Sequence, residues 1–443
     1  MWAALGAIVC LHMLALPQVF PEVSLRADSD TAVMLDAVRD IGGLAGAWRW
    51  FFGDWLLGNG FYRPVSSLSI AVDYALYGES AWGFRFTNWL LMILTAQGLF
   101  VLVRAYARLV DYPYAEWLAL GVAVALSLQQ TGLTAWVSRW SAWWWVGAVV
   151  GAVWMAMREK RPRFTQYENS SSNADSLPFQ VKQGVAQFHW LPLLFAIGAL
   201  FWGFDRLVET HYTRLISWVP SRTALLGTLF GVWAIYALLQ GASARRWGWI
   251  VLGGALYLLA LGSYEQPIML TIVMSVLAFG MRRDWGAWGW YAFGAAAVAA
   301  LLIIALRLCL LPTEPTEYQQ QQRRSSLTGP LQSYLTDLAP PIGQTAYWRA
   351  VGTDLQILLV DKAGWDNILG ALLYLGVLTA LWRERRLLWG AFLWHALTFL
   401  PMAFLHFFEH YMYLPQMGKT LLDVGLIAWG GRSLMEFSRP RVE

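Results

Sequence analysis

Residues 286–311, GAWGWYAFGAAAVAALLIIALRLCLL, decide the class of fold. The stretch is almost wholly apolar and is long enough for a helix to cross the hydrocarbon core of a bilayer, which takes about 20 residues. The whole chain shares this character: 58% of its 443 residues are hydrophobic and 14% are charged, whereas soluble proteins carry about 25% charged residues. Its 28 Trp suit the two membrane–water interfaces. The sequence therefore predicts an integral membrane protein.

About twelve apolar spans follow one another, which predicts an all-α polytopic fold with one membrane domain over residues 1–443. The predicted spans lie near Trp2–Phe20, Phe84–Val103, Ala115–Leu128, Thr134–Met157, Leu191–Phe204, Thr223–Leu239, Trp249–Leu261, Gln266–Phe279, Gly286–Leu311, Ile368–Leu381, Leu388–Leu405 and Tyr413–Gly430.

Basic residues collect after the even-numbered spans, for example at Arg104, at Arg282-Arg283 and from Arg432 onward. Because cytoplasmic loops carry the excess of Lys and Arg, both termini are predicted to be cytoplasmic and the connections after odd-numbered spans to be external. The formal net charge of +4 then reflects topology and not a nucleic-acid partner. The two cysteines, Cys10 and Cys309, supply neither a disulfide framework nor a CxxC metal site.

Three long connections interrupt the spans. The first outer loop, 21–83, is predicted to form short amphipathic helices on the membrane surface near Thr31–Ile41 and Ala45–Leu57. Residues 164–187 are predicted to form a polar cytoplasmic loop. Residues 312–362 are predicted to form an outer loop that is either a lid over an outer-face site or a plain solvated loop.

Two acids, Asp28 and Asp30, stand just beyond the first span. A carboxylate near the interface stays ionised, whereas one at mid-bilayer costs about 2.5 to 3.5 kcal/mol. A partly desolvated carboxylate in such a place suits a general base. The alternative interpretation is that both acids only keep the loop solvated.

The first loop also carries a recognisable pattern: Gly60-Phe61-Tyr62-Arg63-Pro64, then Asp73-Tyr74, Gly78, Phe84 and Asn88. It resembles the first-loop signature of the transmembrane tetratricopeptide-repeat O-mannosyltransferases and related bacterial enzymes of the GT-C glycosyltransferase class. Further resemblances follow in order at Trp136–Arg139 (the weakest), Trp218–Arg222, Ser263-Tyr264-Glu265 and Glu409–Pro415. The resemblance thus covers nearly the whole chain.

This resemblance implies transfer of a sugar from a polyprenyl-phosphate-linked donor to a protein, glycan or lipid acceptor, with inversion. It also implies a location in the bacterial cytoplasmic membrane, with the site facing outward and membrane lipid as a partner. Asp28 would take the proton of the acceptor hydroxyl. Asp30 stays an alternative, because the family's acids are adjacent and here Ser29 separates them.

The resemblance assigns binding roles to other residues. Arg63, Arg139 or Arg222 would hold the lipid phosphate, since the planar guanidinium pairs with phosphate oxygens and stays charged. Glu265 would bind a sugar hydroxyl or orient an arginine. The substrate-binding set also includes Glu409, His410 and Tyr411. Each has a structural alternative: the arginines could snorkel to the interface or cap helix ends, and Glu265 could be a satisfied buried carboxylate.

The chain departs from the family pattern at two positions. Tyr264 and His410 replace a Lys and an Arg, which removes two positive charges from the outer face. The sequence shows no tetratricopeptide array, so acceptor recognition by such repeats is not expected. No cofactor is certain. Because some members of the class need a divalent cation and others do not, Mg²⁺ or Mn²⁺ stays an open alternative, and no metal ligands are assigned.

Other function classes stay open. Twelve spans with cytoplasmic termini are a frequent layout of secondary transporters, although the two halves show no clear internal repeat. A GT-C-like protein without catalytic activity is a further alternative. His406-Phe-Phe-Glu409-His410 fits the H-x-x-E-H zinc motif, but a suitably placed third ligand is missing after it.

Overall fold

The structure is a computed structural model that describes residues 2–14, 16–18, 24–134, 190–209, 212, 214–323, 376–406 and 409–438. The predicted fourth span, the 164–187 loop, Arg139 and the part of the 312–362 loop beyond Arg323 lie outside these residues. The described residues are overwhelmingly helical. The α-helices are α1 Trp2–Met13, α2 Ser29–Asp40, α3 Pro64–Tyr77, α4 Ala81–Leu109, α5 Ala115–Thr131, α6 Trp190–Glu209, α7 Arg214–Ser217, α8 Arg222–Ala244, α9 Trp247–Ser263, α10 Leu270–Gly280, α11 Arg282–Trp285, α12 Ala287–Leu310, α13 Glu317–Gln322, α14 Arg385–Ala403 and α15 Tyr413–Ser438.

Three helical segments of the described chain are long and apolar enough to cross a membrane: Ala81–Leu109, Val219–Ala244 and Ala287–Leu310. They coincide with the predicted second, sixth and ninth spans, so the prediction of a helical membrane protein is confirmed. Their surroundings differ. The most apolar part of Val219–Ala244 is 78% buried, whereas that of α12 is 17% buried. The α8 helix is therefore central, whereas most of the surface of α12 is exposed.

Close helix packing brings distant parts of the chain together. The central α8 packs against α4 and α9, α4 packs against α5, and α15 packs against α6 and α14. At the end of α9, a Cβ on Gly262 would lie 2.9 Å from Cγ2 of Val65, so only glycine allows α9 to approach the start of α3 this closely. Ser66 Oγ also donates to the backbone oxygen of Ser263 at 2.9 Å. This contact brings Arg63 beside the turn that carries Glu265.

The first predicted outer loop folds around a small core of its own. Its α2, α3 and a 3-10 helix over Gly43–Phe52 enclose Met34, Leu35, Trp50 and Ile70 among other apolar side chains. The helix predicted at Thr31–Ile41 corresponds to α2.

The structure differs from the helix predicted over Ala45–Leu57. The 3-10 helix there ends at Phe52, because the carboxylate of Asp54 binds the chain into a turn. It accepts from the backbone N–H groups of Trp55 at 2.8 Å, Gly60 at 2.6 Å and Phe61 at 3.0 Å. That turn sets the direction of the chain just before Arg63.

Candidate functional site

A cavity of about 390 Å³ lies where five connections between helices meet. The distribution of Lys and Arg along the sequence predicts that all five connections lie on the outer face. The first loop contributes Asp30 and Arg63, and the turn after α9 contributes Glu265. The junction of α7 and α8 contributes Trp218 and Thr223. The end of α12 contributes Arg307, and α13 with the residue after it contributes Tyr318, Gln322 and Arg323. The link before α15 contributes His410 and Tyr411. The cavity therefore gathers five of the predicted site residues: Asp30, Arg63, Glu265, His410 and Tyr411.

The two predicted acids have different surroundings. Asp28 is the N-cap of α2, and its Oδ2 accepts from the backbone N–H of Thr31 at 2.9 Å and from the Thr31 hydroxyl at 2.6 Å. Asp30 lies in the first turn of the same helix and lines the cavity. Desolvation at the cavity wall, with the neighbouring charge of Asp28, raises the pKa of Asp30. Of the two, Asp30 is the carboxylate placed to meet a bound molecule.

Arg63 and Glu265 form a bidentate ion pair across the cavity floor. Nε and Nη2 of Arg63 donate to the two carboxylate oxygens of Glu265 at 2.7 to 3.1 Å. The guanidinium carbon also lies 4.2 to 4.8 Å from the ring centres of Trp55, Phe61 and Tyr264. Burial lowers the pKa of Arg63, but the charge and hydrogen bonds of Glu265 outweigh this effect, so the pKa is raised. Arg63 is therefore a permanently charged and well-fixed group.

The Arg63 side chain is 11% exposed and that of Glu265 is 35% exposed. Glu265 thus keeps part of its carboxylate open to the cavity while it holds the arginine. This geometry suits an acceptor for a sugar hydroxyl as well as a partner that orients Arg63, the two roles expected from the sequence.

A short strap, α13 with its N-cap Thr316, covers one side of the cavity. Thr316 Oγ1 donates to the backbone oxygen of Asn59 at 3.0 Å, and Gln319 Nε2 donates to that of Gly60 at 2.8 Å. Tyr318 packs edge-on against Phe61, with ring centres 6.4 Å apart. The part of the predicted 312–362 lid that the structure describes therefore docks on the first loop.

Aromatic side chains line another part of the cavity wall. The His410 ring lies 5.0 Å from the ring centre of Trp218 and 4.5 Å from that of Tyr411. Burial, with the positive charges of Arg63 and Arg214, lowers the pKa of His410 to about 3. Burial and the nearby Tyr318 raise the pKa of Tyr411 to about 12. Both groups are neutral near pH 7, so this wall offers ring faces and neutral polar atoms.

The predicted phosphate ligand Arg222 lies elsewhere, in a buried polar cluster. Its guanidinium donates to Asp73 Oδ2 at 2.6 Å, to Ser69 Oγ at 2.9 Å, to the backbone oxygen of Phe84 at 3.0 Å and to Asn88 Oδ1. The Arg222 side chain is fully buried and is not part of the cavity lining. Arg222 thus binds two other residues of the sequence pattern, Asp73 and Asn88, and so joins α8 to α3 and α4.

Two other predicted residues are placed only in part or not at all. Arg139 lies outside the described residues. Glu409 begins the 3-10 turn Glu409–Met412, and its side chain is likewise outside what the structure describes.

The sequence analysis missed several lining residues. Arg307 and Arg323 line the cavity, and Arg307 had a signal, because a lone charge inside the apolar stretch 286–311 marks a functional candidate. Tyr318 and Gln322 had no local signal, since their role depends on long-range docking of α13. In the described part of the chain, no group of three or more His, Cys, Asp or Glu side chains is placed to hold a metal ion.

We compared the chain with models of protein families, with curated proteins and with solved structures, and none of them matches it.

Proposed function

We propose that this protein is a membrane glycosyltransferase of the GT-C type, which moves a sugar from a polyprenyl-phosphate-linked donor to an acceptor hydroxyl with inversion. The observation that carries the proposal is the meeting of Asp30 with the Arg63–Glu265 pair in one cavity. The proposal includes the twelve-span topology with cytoplasmic termini. It places the cavity on the outer face of a bacterial cytoplasmic membrane.

Asp30 is the proposed base. Its carboxylate takes the proton of the acceptor hydroxyl while that oxygen forms a bond to the anomeric carbon of the sugar. The bond from the anomeric carbon to the phosphate oxygen breaks with its electron pair, and the polyprenyl phosphate leaves. A raised pKa brings a carboxylate nearer to the operating pH, which favours general-base catalysis.

The charges of the cavity support an anionic donor. Its basic side chains are Arg63, Arg307 and Arg323, and its acidic side chains are Asp30 and Glu265. Because Arg63 and Glu265 neutralise each other, two arginines and the proposed base remain. This balance favours a phosphate group, whose negative charge grows on the leaving oxygen during transfer.

The aromatic wall supports a sugar as the transferred group. Trp218, Tyr264 and Tyr411 line the cavity and present apolar ring surfaces next to polar tips. Such walls suit a ligand with apolar C–H faces and hydroxyl edges. Asn59 and Gln322, which also line the cavity, supply neutral donors and acceptors.

The test compares two neighbouring substitutions in purified protein reconstituted in lipid. Transfer of labelled sugar is measured from a panel of polyprenyl-phosphate sugars. Asp30→Asn removes the proposed base, and we expect transfer to fall by about 10² to 10⁴-fold. Asp28→Asn is the matched control, because asparagine caps a helix as well as aspartate does and leaves the cavity lining unchanged.

The outcomes separate the alternatives. Full activity of Asp30→Asn would refute the base assignment, and loss in Asp28→Asn alone would return that role to Asp28. A wild-type protein that neither binds nor uses any donor would favour a secondary transporter or a GT-C-like protein without catalytic activity.

A further inference from the structure

We infer, on the basis of the proposed function, that Arg307 and Arg323 hold the phosphate of the lipid-linked donor, and that its prenyl chain leaves the cavity along α12. This assignment replaces Arg63 and Arg222 as the main phosphate ligands. Two observations support it. Arg63 and Arg222 already have hydrogen-bond partners, and the apolar α12 is mostly exposed.

Arg63 and Arg222 are already occupied. Two of the three guanidinium nitrogens of Arg63 donate to Glu265. Arg222 uses all three of its nitrogens on Asp73, Asn88, Ser69 and Phe84, and it lies outside the cavity lining. A phosphate could reach either group only by replacing bonds that are already made.

Arg307 and Arg323 differ in this respect. Both line the cavity. Within the described ranges, neither side chain makes a hydrogen bond, an ion pair or a contact with an aromatic ring. Arg307 is half-buried in the last turn of α12, and Arg323 is exposed at the end of α13. Two guanidinium groups without a partner among the described residues, from two different elements, form a suitable clamp for a phosphate.

The side-chain amide of Gln322 is a second indication that a ligand binds here. Gln322 Oε1 is buried and has no hydrogen-bond partner among the described residues, and Gln322 lines the same cavity. A buried acceptor without a partner is destabilising, because it has lost its water and gained nothing in exchange. A hydroxyl group of the donor would satisfy it beside the Arg323 clamp.

The exposure of α12 indicates where the apolar part of the donor goes. Val298, Leu301 and Leu308 of this helix are 55 to 66% exposed. The helix as a whole is mostly exposed and apolar enough to cross a membrane, so its exposed apolar side chains suit contact with lipid. A phosphate held by Arg307 therefore sits at the edge of the bilayer. Its prenyl chain can leave the cavity along α12 and lie in the hydrocarbon, so the ligand is an amphiphile with a phosphate head.

The test measures binding, not transfer. Farnesyl phosphate is titrated into the full-length protein in nanodiscs, with farnesol and inorganic phosphate as comparators. The variants are Arg307→Gln, Arg323→Gln and the conservative Arg307→Lys. Arg283→Gln is the control, because Arg283 is an exposed arginine of α11 outside the cavity lining.

We expect Arg307→Gln and Arg323→Gln each to weaken farnesyl phosphate binding at least tenfold. Arg307→Lys should recover part of the loss, and Arg283→Gln should bind as wild type does. Farnesol and inorganic phosphate should bind far more weakly than farnesyl phosphate. Equal binding of inorganic phosphate would overturn the role of α12 and identify a site for free phosphate.

The remaining outcomes distinguish this inference from the proposed function. Unchanged farnesyl phosphate binding in both Gln variants, with sugar transfer intact in the wild type, would refute the Arg307–Arg323 clamp and leave the function standing. Absence of both farnesyl phosphate binding and sugar transfer in the wild type would refute both.

Discussion

Nη2 of Arg222 lies 2.6 Å from Oδ2 of Asp73, and their side chains are 0% and 4% exposed. Asp73 Oδ1 also accepts from the Thr87 hydroxyl at 2.8 Å, and Asn88 Nδ2 donates to the backbone oxygen of Leu215 at 2.9 Å. The pair is the centre of a buried network that joins α3 and α4 to the central α8. Its surroundings indicate a role in holding these helices together.

Removal of one partner should therefore destabilise the protein. Asp73→Asn leaves the Arg222 charge buried without its counter-charge, which typically costs about 3 to 5 kcal/mol. We expect a clear fall in the free energy of unfolding, measured in detergent by tryptophan fluorescence. Asp40→Asn, a change of an exposed acid at the end of α2, should stay within about 0.5 kcal/mol. Wild-type stability of Asp73→Asn would contradict this interpretation.

The docking of α13 can be tested at a glycine pair. Gly60 has φ +85°, and a Cβ there would lie 2.7 Å from Gln319 Nε2 and 2.9 Å from Thr316 Cγ2. Gly58 has a similar φ of +61° and open space around its Cβ position. Alanine strains the backbone at both positions by roughly 1 kcal/mol, because both have positive φ. Only Gly60→Ala should also displace α13, because only its Cβ would collide with that helix.

We expect faster hydrogen exchange of the amides in 316–322 in Gly60→Ala than in Gly58→Ala. Exchange measured by mass spectrometry on the two variants checks this. Equal exchange would mean that the Asn59–Gly60 turn does not hold α13 in place.

The Asp28–Asp30 pair predicts a pH effect on catalysis. Because the Asp28 charge contributes to the raised pKa of Asp30, its removal in Asp28→Asn should lower that pKa. A base works only when it is deprotonated, so the acid limb of kcat/KM should move to lower pH in Asp28→Asn. A pH profile of sugar transfer measures the shift. An acid limb that does not move would show that Asp30 does not titrate in that limb.

His410 predicts a different effect, on stability. Its pKa in the folded protein is about 3, below the unfolded value of 6.5, so the unfolded chain binds a proton that the folded protein does not. Stability should therefore fall as pH decreases from about 6.5 towards 3. His410→Gln should reduce this fall, whereas His406→Gln, at an exposed position four residues earlier, should not. Thermal unfolding between pH 7.5 and 4.5 tests the pair, and identical pH dependence of both variants would contradict a neutral His410.

The membrane class and the three longest apolar helices could be predicted from the sequence, because hydropathy over a span-length window depends only on local composition. The roles of the residues that resemble the GT-C signatures could not be predicted from the sequence. Arg63 and Arg222 are the same residue type near the same predicted face, yet one lines the cavity and the other is enclosed by α3 and α4. Only the three-dimensional packing separates them.

The positions of Asp28 and Asp30 could be predicted in part from the sequence. Asp28-Ser29-Asp30-Thr31 contains a helix-start signal, since Asp is a preferred N-cap and the next residues can begin a helix. The resemblance nevertheless favoured Asp28 as the base, and the structure shows that Asp28 caps α2 whereas Asp30 lines the cavity. Tyr318 carried no such signal, because its contact with Phe61 joins segments far apart in the chain.

The origin of the cavity walls also has a consequence for biosynthesis. Asp30 leaves the ribosome 380 residues before His410 (410 − 30). At about 5 to 20 residues per second, translation separates these walls by roughly 20 to 80 s. During that interval the nascent chain carries the acid and Arg63 without the pocket around them. The cavity is therefore complete only after His410 and Tyr411 have been synthesised, and a chain released before that point lacks part of the cavity wall.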